Sequence, residues 1–270
     1  MRPTVLATLF CLAIPVAVSA HAPNPNAASQ KAEKTGIDKA AVEKAAVKKA
    51  LNDPARAADK GDDNRRKIEQ VMLFAQVKPG QSVLELVPGS GYWTRVFSAV
   101  VGPQGHVYTV WPNEMGKFDT ESLANWQKLT ATPHYANVGI LQQPAAKLQA
   151  PAPVDLVFTA QNYHDFHDPF MGPMDIAAFN HQVFDALKPG GLFVIIDHVA
   201  PAGSGLADTN TLHRIDPASV KQEVEAAGFV FDGESKALHN AADPHDIKVF
   251  DKSIRGHTDQ FIFRFRKPAK

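Results

Sequence analysis

Five short apolar runs constrain what this chain can fold into more than any other feature. SVLELV, HVYTV (His106 to Val110), ANVGILQ, VDLVFTA (Val154 to Ala160) and LFVIID (Leu192 to Asp197) have the length and composition of buried strands. Among them, Gly91 to Val101, DTESLANWQKL with Asp119 or Thr120 as cap, and MDIAAFNHQVFDALKPGG, which stops at Pro189-Gly190, read as helices. Strands alternating with helices of about 10–15 residues predict a parallel sheet wrapped on both faces. Ahead of the first strand, RRKIEQVMLFAQV sets Ile68, Val71, Met72 and Ala75 at helical spacing, with Asp63 or Asn64 as cap. After the fifth strand, PASVKQEVEAAGF is a helix capped by Asp216, with Pro217 in its first position and Gly228 closing it. FVFDGES and TDQFIFRFR follow without a helix between them, which predicts an antiparallel hairpin at one edge.

The 270 residues carry 28 basic and 28 acidic side chains, so charge gives no reason to expect nucleic acid or an anionic membrane as partner. Residues 1–20 have the pattern of a signal peptide. Arg2 precedes the apolar run TVLATLFCLAIPVAV, and Val18-Ser19-Ala20 or Ala20-His21-Ala22 supplies small residues for cleavage. The run is too short, and too interrupted by Pro15, to favour a membrane span. The expectation is an exported, periplasmic protein with no stable membrane anchor after cleavage and with its oligomeric state open. Cys11 is the only cysteine, so the mature chain would have none, which excludes thiol nucleophiles, thiolate zinc sites and iron–sulfur clusters. Residues 21–60 are rich in Ala and Lys, and AAVEKAAVKKAL offers only Val42, Val47 and Leu51 as large apolar groups. That predicts a linker or a weakly docked helix ahead of one domain over residues 61–270.

In open α/β sheets a ligand lies beyond the carboxyl ends of the strands, where strand order reverses. VLELVPGSGYW, Val83 to Trp93, feeds that point. Gly89 and Gly91 permit close backbone approach, the helix that follows offers free N–H groups, and Glu85 can hold the turn or meet an ammonium group. Val87 stands where a dinucleotide fingerprint has glycine, and the loop alone also reads as a tight turn that binds nothing. The second strand ends VYTVWPNE. Trp111 takes the place where an acidic residue usually meets a ribose, with Glu114 three residues on. An indole can stack on a ribose or adenine face but accepts no hydroxyl bonds, so ribose recognition passes to Glu114 or weakens.

The fourth strand ends TAQNYHDFHDPF and the fifth IIDHVAPAGSG. Asn162, Tyr163, His164, Asp165, His167 and Asp168 crowd one loop, with Asp197 and His198 at the neighbouring strand tip. Such His–Asp pairs suit proton transfer, because a carboxylate orients an imidazole and tunes its pKa. Metal ligation by His164, His167, Asp168 and His198, or ordinary loop hydrogen bonding, are the alternatives. APAGSGLADTNT fits a mobile lid leading into LHRID, which supplies His213 and Arg214. Arg214 would clamp an anion or pair with a carboxylate, the second being the commoner fate, and Arg255 with Asp259 reads as structural pairing.

In this order, VLELVPGSGYWTRVFS, DLVFTAQNYHDF, ALKPGGLFVIIDH, LHRIDPASVKQEVEAAGF and VFDKSIRGHTDQFIFRFRKP resemble a group of bacterial proteins, often exported, assigned to the class I S-adenosylmethionine-dependent methyltransferases. The similarity runs from about Asp53 to Lys267. A Pro-Gly-x-Gly loop after the first strand is usual in that group. The resemblance implies a doubly wound, Rossmann-like α/β fold: a seven-stranded, mostly parallel sheet of order 3-2-1-4-5-7-6 with strand 7 antiparallel. It also implies S-adenosyl-L-methionine as cofactor. The methionine part would lie at Glu85, Pro88, Gly89, Gly91 and Tyr92, the ribose and adenine near Trp111 and Glu114, and the sulfonium facing Asn162 and Tyr163.

For methyl transfer to a small-molecule acceptor, His164 or Asp165 would be the base. Asp197, His198 and His213 would bind the acceptor or act as a second base, and Tyr163 and Phe166 would wall the pocket. The cofactor is made in the cytosol, whereas the signal peptide sends the chain outside. A non-catalytic small-ligand-binding protein on the same fold is therefore the second reading, and a metal-assisted hydrolase the third; no metal is assigned.

Overall fold

The computed structural model of the protein describes residues 39–117 and 120–269. The expected signal peptide at 1–20, the first part of the expected linker, and Asp119 as a helix cap lie outside the described residues. The sheet with its helices belongs to one compact unit, Ala41–Lys270.

Seven strands, β1 (Ser82–Leu86), β2 (His106–Pro112), β3 (Val138–Gln143), β4 (Val154–Ala160), β5 (Leu187–His198), β6 (Val230–Ser235) and β7 (Gln260–Arg266), form one sheet of order 3-2-1-4-5-7-6. β1 to β5 are parallel to one another, and β7 runs antiparallel to both β5 and β6. The central strands are mostly apolar because both faces are covered, with Glu85 near the end of β1 a buried exception. Val83, Leu156 and Val194 face one layer, whereas Leu84, Val157 and Ile195 face the other. Helices α1 (Ile68–Ala75), α2 (Tyr92–Val101) and α3 (Thr120–Thr130) pack in the first layer, and α4 (Ile176–Ala186) and α5 (Pro217–Ala226) in the second. The sheet reverses its order between β1 and β4, which puts the β1 loop and the tips of β4 and β5 side by side.

Three local expectations change. The helix expected to be weakly docked is part of the core: residues 41–51 are helical, and Val47 and Ala50 are buried in the first layer. The segment that follows is pinned by charge. Arg56 bonds Asp63 at 2.6 Å, Arg95 of α2 holds both oxygens of Asp59 at 2.5 Å, and the Tyr92 hydroxyl donates to Asp63 at 2.7 Å. Neither Asp63 nor Asn64 caps α1, which starts after Lys67 in a left-handed conformation; Asp63 is already used by Arg56 and Tyr92. Finally, Lys188 to Gly191 belong to β5, because Gly190 N–H donates to Lys267 C=O at 2.9 Å and extends the pairing with the chain beyond β7.

Candidate functional site

β1 ends at Leu86, and the turn beyond it is strained. Val87 has φ +50°, a left-handed conformation that costs a β-branched residue about 1–3 kcal/mol. Its amide donates to Val110 C=O at 3.0 Å, its carbonyl accepts from Asn162 Nδ2 at 3.3 Å, and its side chain is buried in the second layer. Those bonds and that burial hold in place a conformation for which glycine is the usual residue.

The two glycines beyond it do different things. At Gly89 a Cβ would meet nothing within 4 Å, so the backbone is open on that side. At Gly91 a Cβ would fall 1.5 Å from Cζ2 of Trp126, whose indole from α3 lies against the loop and donates to Gly89 C=O at 3.2 Å. Gly91 therefore makes room for a tryptophan rather than for a ligand.

A cavity of about 180 Å³ opens against this loop, bordered by Glu85, Pro88, Gly89, Tyr92, Trp93 and Asn162. The Glu85 carboxyl is buried and accepts from the Thr94 hydroxyl at 2.5 Å. Burial pushes it up to about 8, against smaller opposing effects of Thr94 and Arg95, so it is mostly protonated at neutral pH. Trp93 adds a buried indole N–H with no partner among the described residues.

Four of the expected cofactor residues point elsewhere. Besides Gly91, Trp111 is 4% exposed and sits in the first-layer core with Val107 and Trp126. Alternation along β2 sends residues 107, 109 and 111 to the same face. Glu114 accepts the Ala145 amide at 3.0 Å, closing the turn after β3. Tyr163 is fully buried in the second layer; its hydroxyl donates to Glu223 at 3.0 Å and accepts from Asn180 at 2.8 Å. Pro88, Gly89, Tyr92, Glu85 and Asn162 remain at the cavity.

The five expected catalytic residues do converge. His164, Asp165, His198 and His213 border a second cavity of about 500 Å³, together with Asn162 and the apolar wall formed by Phe170, Val249 and Phe250. Asp197 stands behind them, fully buried, accepting from His164 Nδ1 at 2.8 Å and from the backbone amides of His164 at 2.9 Å and His198 at 2.8 Å. Burial works to lower the His164 pKa, but the Asp197 carboxylate and hydrogen bonds to Asp165 and Asp197 outweigh it and raise the ring to about 10. Burial likewise works to raise Asp165, and bonds from His164 and His213 hold it below the usual range. An imidazolium between two carboxylates results. His164, expected as a base, already holds its proton at neutral pH. His198 is the opposite case: burial lowers it to about 4, and the neutral ring shares a 2.8 Å hydrogen bond with Thr258.

His167 lies away from this cluster, its Nε2 3.0 Å from Glu223. Asp168 is buried and close enough for the charges of His164, Asp165 and His213 to act on its carboxyl, which burial raises above the usual range. Among the described residues the ligand-type atoms that converge are those of His164, Asp165 and His213, so the expected set of His164, His167, Asp168 and His198 is not brought together. Arg214 takes the commoner fate, a buried bidentate pair with Asp243 at 2.9 Å. The Arg255–Asp259 pair is not made: Asp259 is taken by His239 and His245 at 3.0 Å each. The stretch expected as a lid includes the short helix Thr209–Leu212. The residue most conspicuously missed is Gln161. Held at φ +64° with its side chain bonded to Gln260, it borders both cavities; its place directly after the β4 strand was the available signal. Val249 and Phe250 were also missed, since nothing local marks a β6–β7 connection as reaching the β4 tip.

Comparison with known proteins bears on the architecture. An S-adenosylmethionine-dependent methyltransferase of Aquifex aeolicus superposes with a TM-score of 0.50 at 20% identity, covering 83% of this chain and 98% of that one. A second from Mesorhizobium loti gives 0.51 at 16% identity, covering 74% of this chain and 97% of that one. The fold is that of the class I methyltransferases. The same fold also matches the [4+2]-cyclase SpnF, with a TM-score of 0.55 at 17% identity over 76% of this chain and 81% of that one. A class I methyltransferase fold thus leaves the reaction to be argued from the site. In sequence, 36 residues are 50% identical to a protein-L-isoaspartate O-methyltransferase of Ignicoccus hospitalis, a match spanning 13% of this chain and 17% of that protein. No protein-family model matches the chain.

Proposed function

We propose that the protein is a methyltransferase that uses S-adenosylmethionine and acts on a small molecule held beside the histidine cluster. The observation that carries this reading is that the glycine-loop cavity and the histidine cavity share Gln161 and Asn162. A group bound against Gly89 would therefore abut a molecule bound against His213. The second cavity, at about 500 Å³, falls in the range of small-molecule sites, about 300–1,000 Å³.

The residues fit the methionine end of the cofactor: Glu85 offers an acid to an ammonium group, the open backbone at Gly89 permits close approach, and the unused Trp93 N–H is a donor. They fit the ribose end less well, since Trp111 is in the core and Glu114 is bonded to Ala145. When bound, the cofactor supplies an electrophilic methyl on sulfur. Asn162 is fixed by its bonds to Val87 and Ala160 carbonyls, at 3.3 and 2.6 Å, and so keeps the junction of the two cavities rigid. His213 is the most exposed of the cluster, with 22% of its side chain accessible against 3% for His164, and together with Asp165 it is placed to receive the acceptor's proton. His164 and Asp197 position them. Phe170, Val249 and Phe250 keep water from the reacting atoms.

Calorimetry with S-adenosylhomocysteine tests the reading: saturable binding is expected, and none at millimolar ligand sinks it. His213→Ala should cut methyl transfer at least about tenfold while leaving that affinity nearly unchanged. Tyr163→Phe separates the corrected residue from the site. It should lower the unfolding free energy by about 1–2 kcal/mol, through the bonds lost by Glu223 and Asn180, with no change in affinity. The unserved ribose end favours the ligand-binding reading, which binding without turnover on any acceptor would support.

The proposal includes export, supported by the apolar run between Arg2 and Ala20. N-terminal sequencing of protein from the periplasmic fraction should find the chain starting near residue 21 or 23.

A further inference from the structure

Three ligand-type atoms converge at the inner end of the histidine cavity. His164 Nε2 lies 3.2 Å from His213 Nδ1 and 3.2 Å from Asp165 Oδ1, and His213 Nδ1 lies 3.7 Å from the same oxygen. Donors at about 2.0–2.1 Å from a tetrahedral ion stand about 3.3–3.4 Å apart, so this triangle has the size of one face of such a shell. Without an ion, Asp165 accepts from both rings; an ion bound to the same three atoms would replace those protons.

The surroundings match what metal-bound imidazoles need. His164 Nδ1 is 2.8 Å from Asp197, a fully buried carboxylate itself fixed by two backbone amides, which turns Nε2 toward the other two atoms. The His213 ring is held edge-on to His164, with centroids 5.3 Å apart, and packs against Phe250 at 4.9 Å. The three residues also border the cavity of about 500 Å³, so positions opposite the triangle are open to a ligand.

We propose that His164, Asp165 and His213 form a site for one divalent transition-metal ion, with Asp197 as the positioning carboxylate and open coordination toward the cavity for an oxygen donor of a small molecule. Two imidazoles and one carboxylate suit Zn²⁺, Fe²⁺ or Co²⁺ better than Mg²⁺ or Ca²⁺. The ligand class is then a compact molecule with a hydroxyl or carboxylate oxygen at one end and an apolar body against Phe170, Val249 and Phe250. Ion binding does not depend on the methyl-transfer reading. Only one consequence does: with His213 and Asp165 on the ion, the ion would acidify an acceptor hydroxyl bound to it, whose proton would pass to solvent rather than to His213.

The test uses protein made without a histidine tag, stripped with a chelator and titrated with Co²⁺, whose visible absorption reports its ligands. One equivalent should bind with a micromolar or tighter dissociation constant and be displaced by Zn²⁺. His213→Ala, at the partly exposed ligand, should weaken binding at least a hundredfold, and Asp165→Asn at least tenfold, while circular dichroism stays native. Asp197→Asn should weaken it about 10–100-fold without changing the stoichiometry. No Co²⁺ spectrum at millimolar metal overturns the proposal. So does a spectrum that His213→Ala leaves intact and His239→Ala abolishes, which would move the ion to the imidazoles on Asp259. None of these readings involves S-adenosylhomocysteine, so the two proposals fail separately.

Discussion

Glu85→Gln should make the protein more stable at pH 8 and weaken its binding of S-adenosylhomocysteine about 10–100-fold. Burial pushes the Glu85 carboxyl from 4.5 up to about 8. The folded state therefore binds a proton that the unfolded state has released anywhere between those values, and stability contributed by the protonated group is lost as pH rises through that window. By pH 8 the cost is on the order of 4 kcal/mol, most of which a neutral amide of the same shape avoids. Urea unfolding at pH 5, 6, 7 and 8 should show a falling midpoint in the parent protein and a flatter one in the variant; parallel curves would refute the burial argument. Binding should move the other way. A ligand ammonium favours the carboxylate, so affinity for S-adenosylhomocysteine should rise from pH 6 toward pH 8 in the parent. In the variant it should fall by about 10–100-fold, the scale of one lost charge-assisted hydrogen bond.

Gly91→Ala should be among the most damaging single-methyl substitutions in the chain, and Gly89→Ala among the mildest for stability. The new Cβ at residue 91 would lie 1.5 Å from a ring carbon of Trp126, at a φ of +78° that disfavours any side chain. The indole, carried by α3, is 1% exposed, so a loss above about 3 kcal/mol is expected. Trp126→Ala by itself should cost about 3–5 kcal/mol as a cavity. The double variant should be less destabilised than the sum by about 1–3 kcal/mol, because the clash disappears with the ring. At residue 89, where φ is +54° and nothing lies within 4 Å, alanine should cost only about 1 kcal/mol. Its methyl would stand on the open side of the loop and reduce S-adenosylhomocysteine affinity at least tenfold. Equal stability losses at the two glycines would contradict the division of labour between them.

The sheet was legible because its periods are local: each strand run and helical stripe announces itself within a dozen residues, and Asp216-Pro217 marks the start of α5. The convergence of His164, Asp165, Asp197, His198 and His213 was legible for a related reason, since strand tips in a parallel sheet share one end. Side-chain direction was the harder matter. Trp111 would have been placed correctly by carrying the alternation of Val107 and Thr109 two residues further, but a fingerprint position was given precedence over parity. Tyr163 and His167 turn toward Glu223 of α5, a partner 60 and 56 residues away that no local pattern announces. The proton on His164 was invisible for the same reason: it depends on how deeply three groups are buried together.

The buried pair of Arg214 and Asp243 also decides how the wall facing the histidines is held. Asp243 also accepts the amides of His245 and Asp259, at 3.0 and 2.6 Å, so one carboxylate ties the interior of the excursion between β6 and β7 to the residue just before β7. That excursion carries Val249 and Phe250, the wall facing the histidines. Its interior is anchored to the segment before α5 as well: Val249 N–H donates to Leu212 C=O at 3.2 Å, and Arg214 Nε donates to Ile247 C=O at 2.9 Å. A substitution that loosens this clasp would therefore be felt first at the histidine cavity rather than in the sheet.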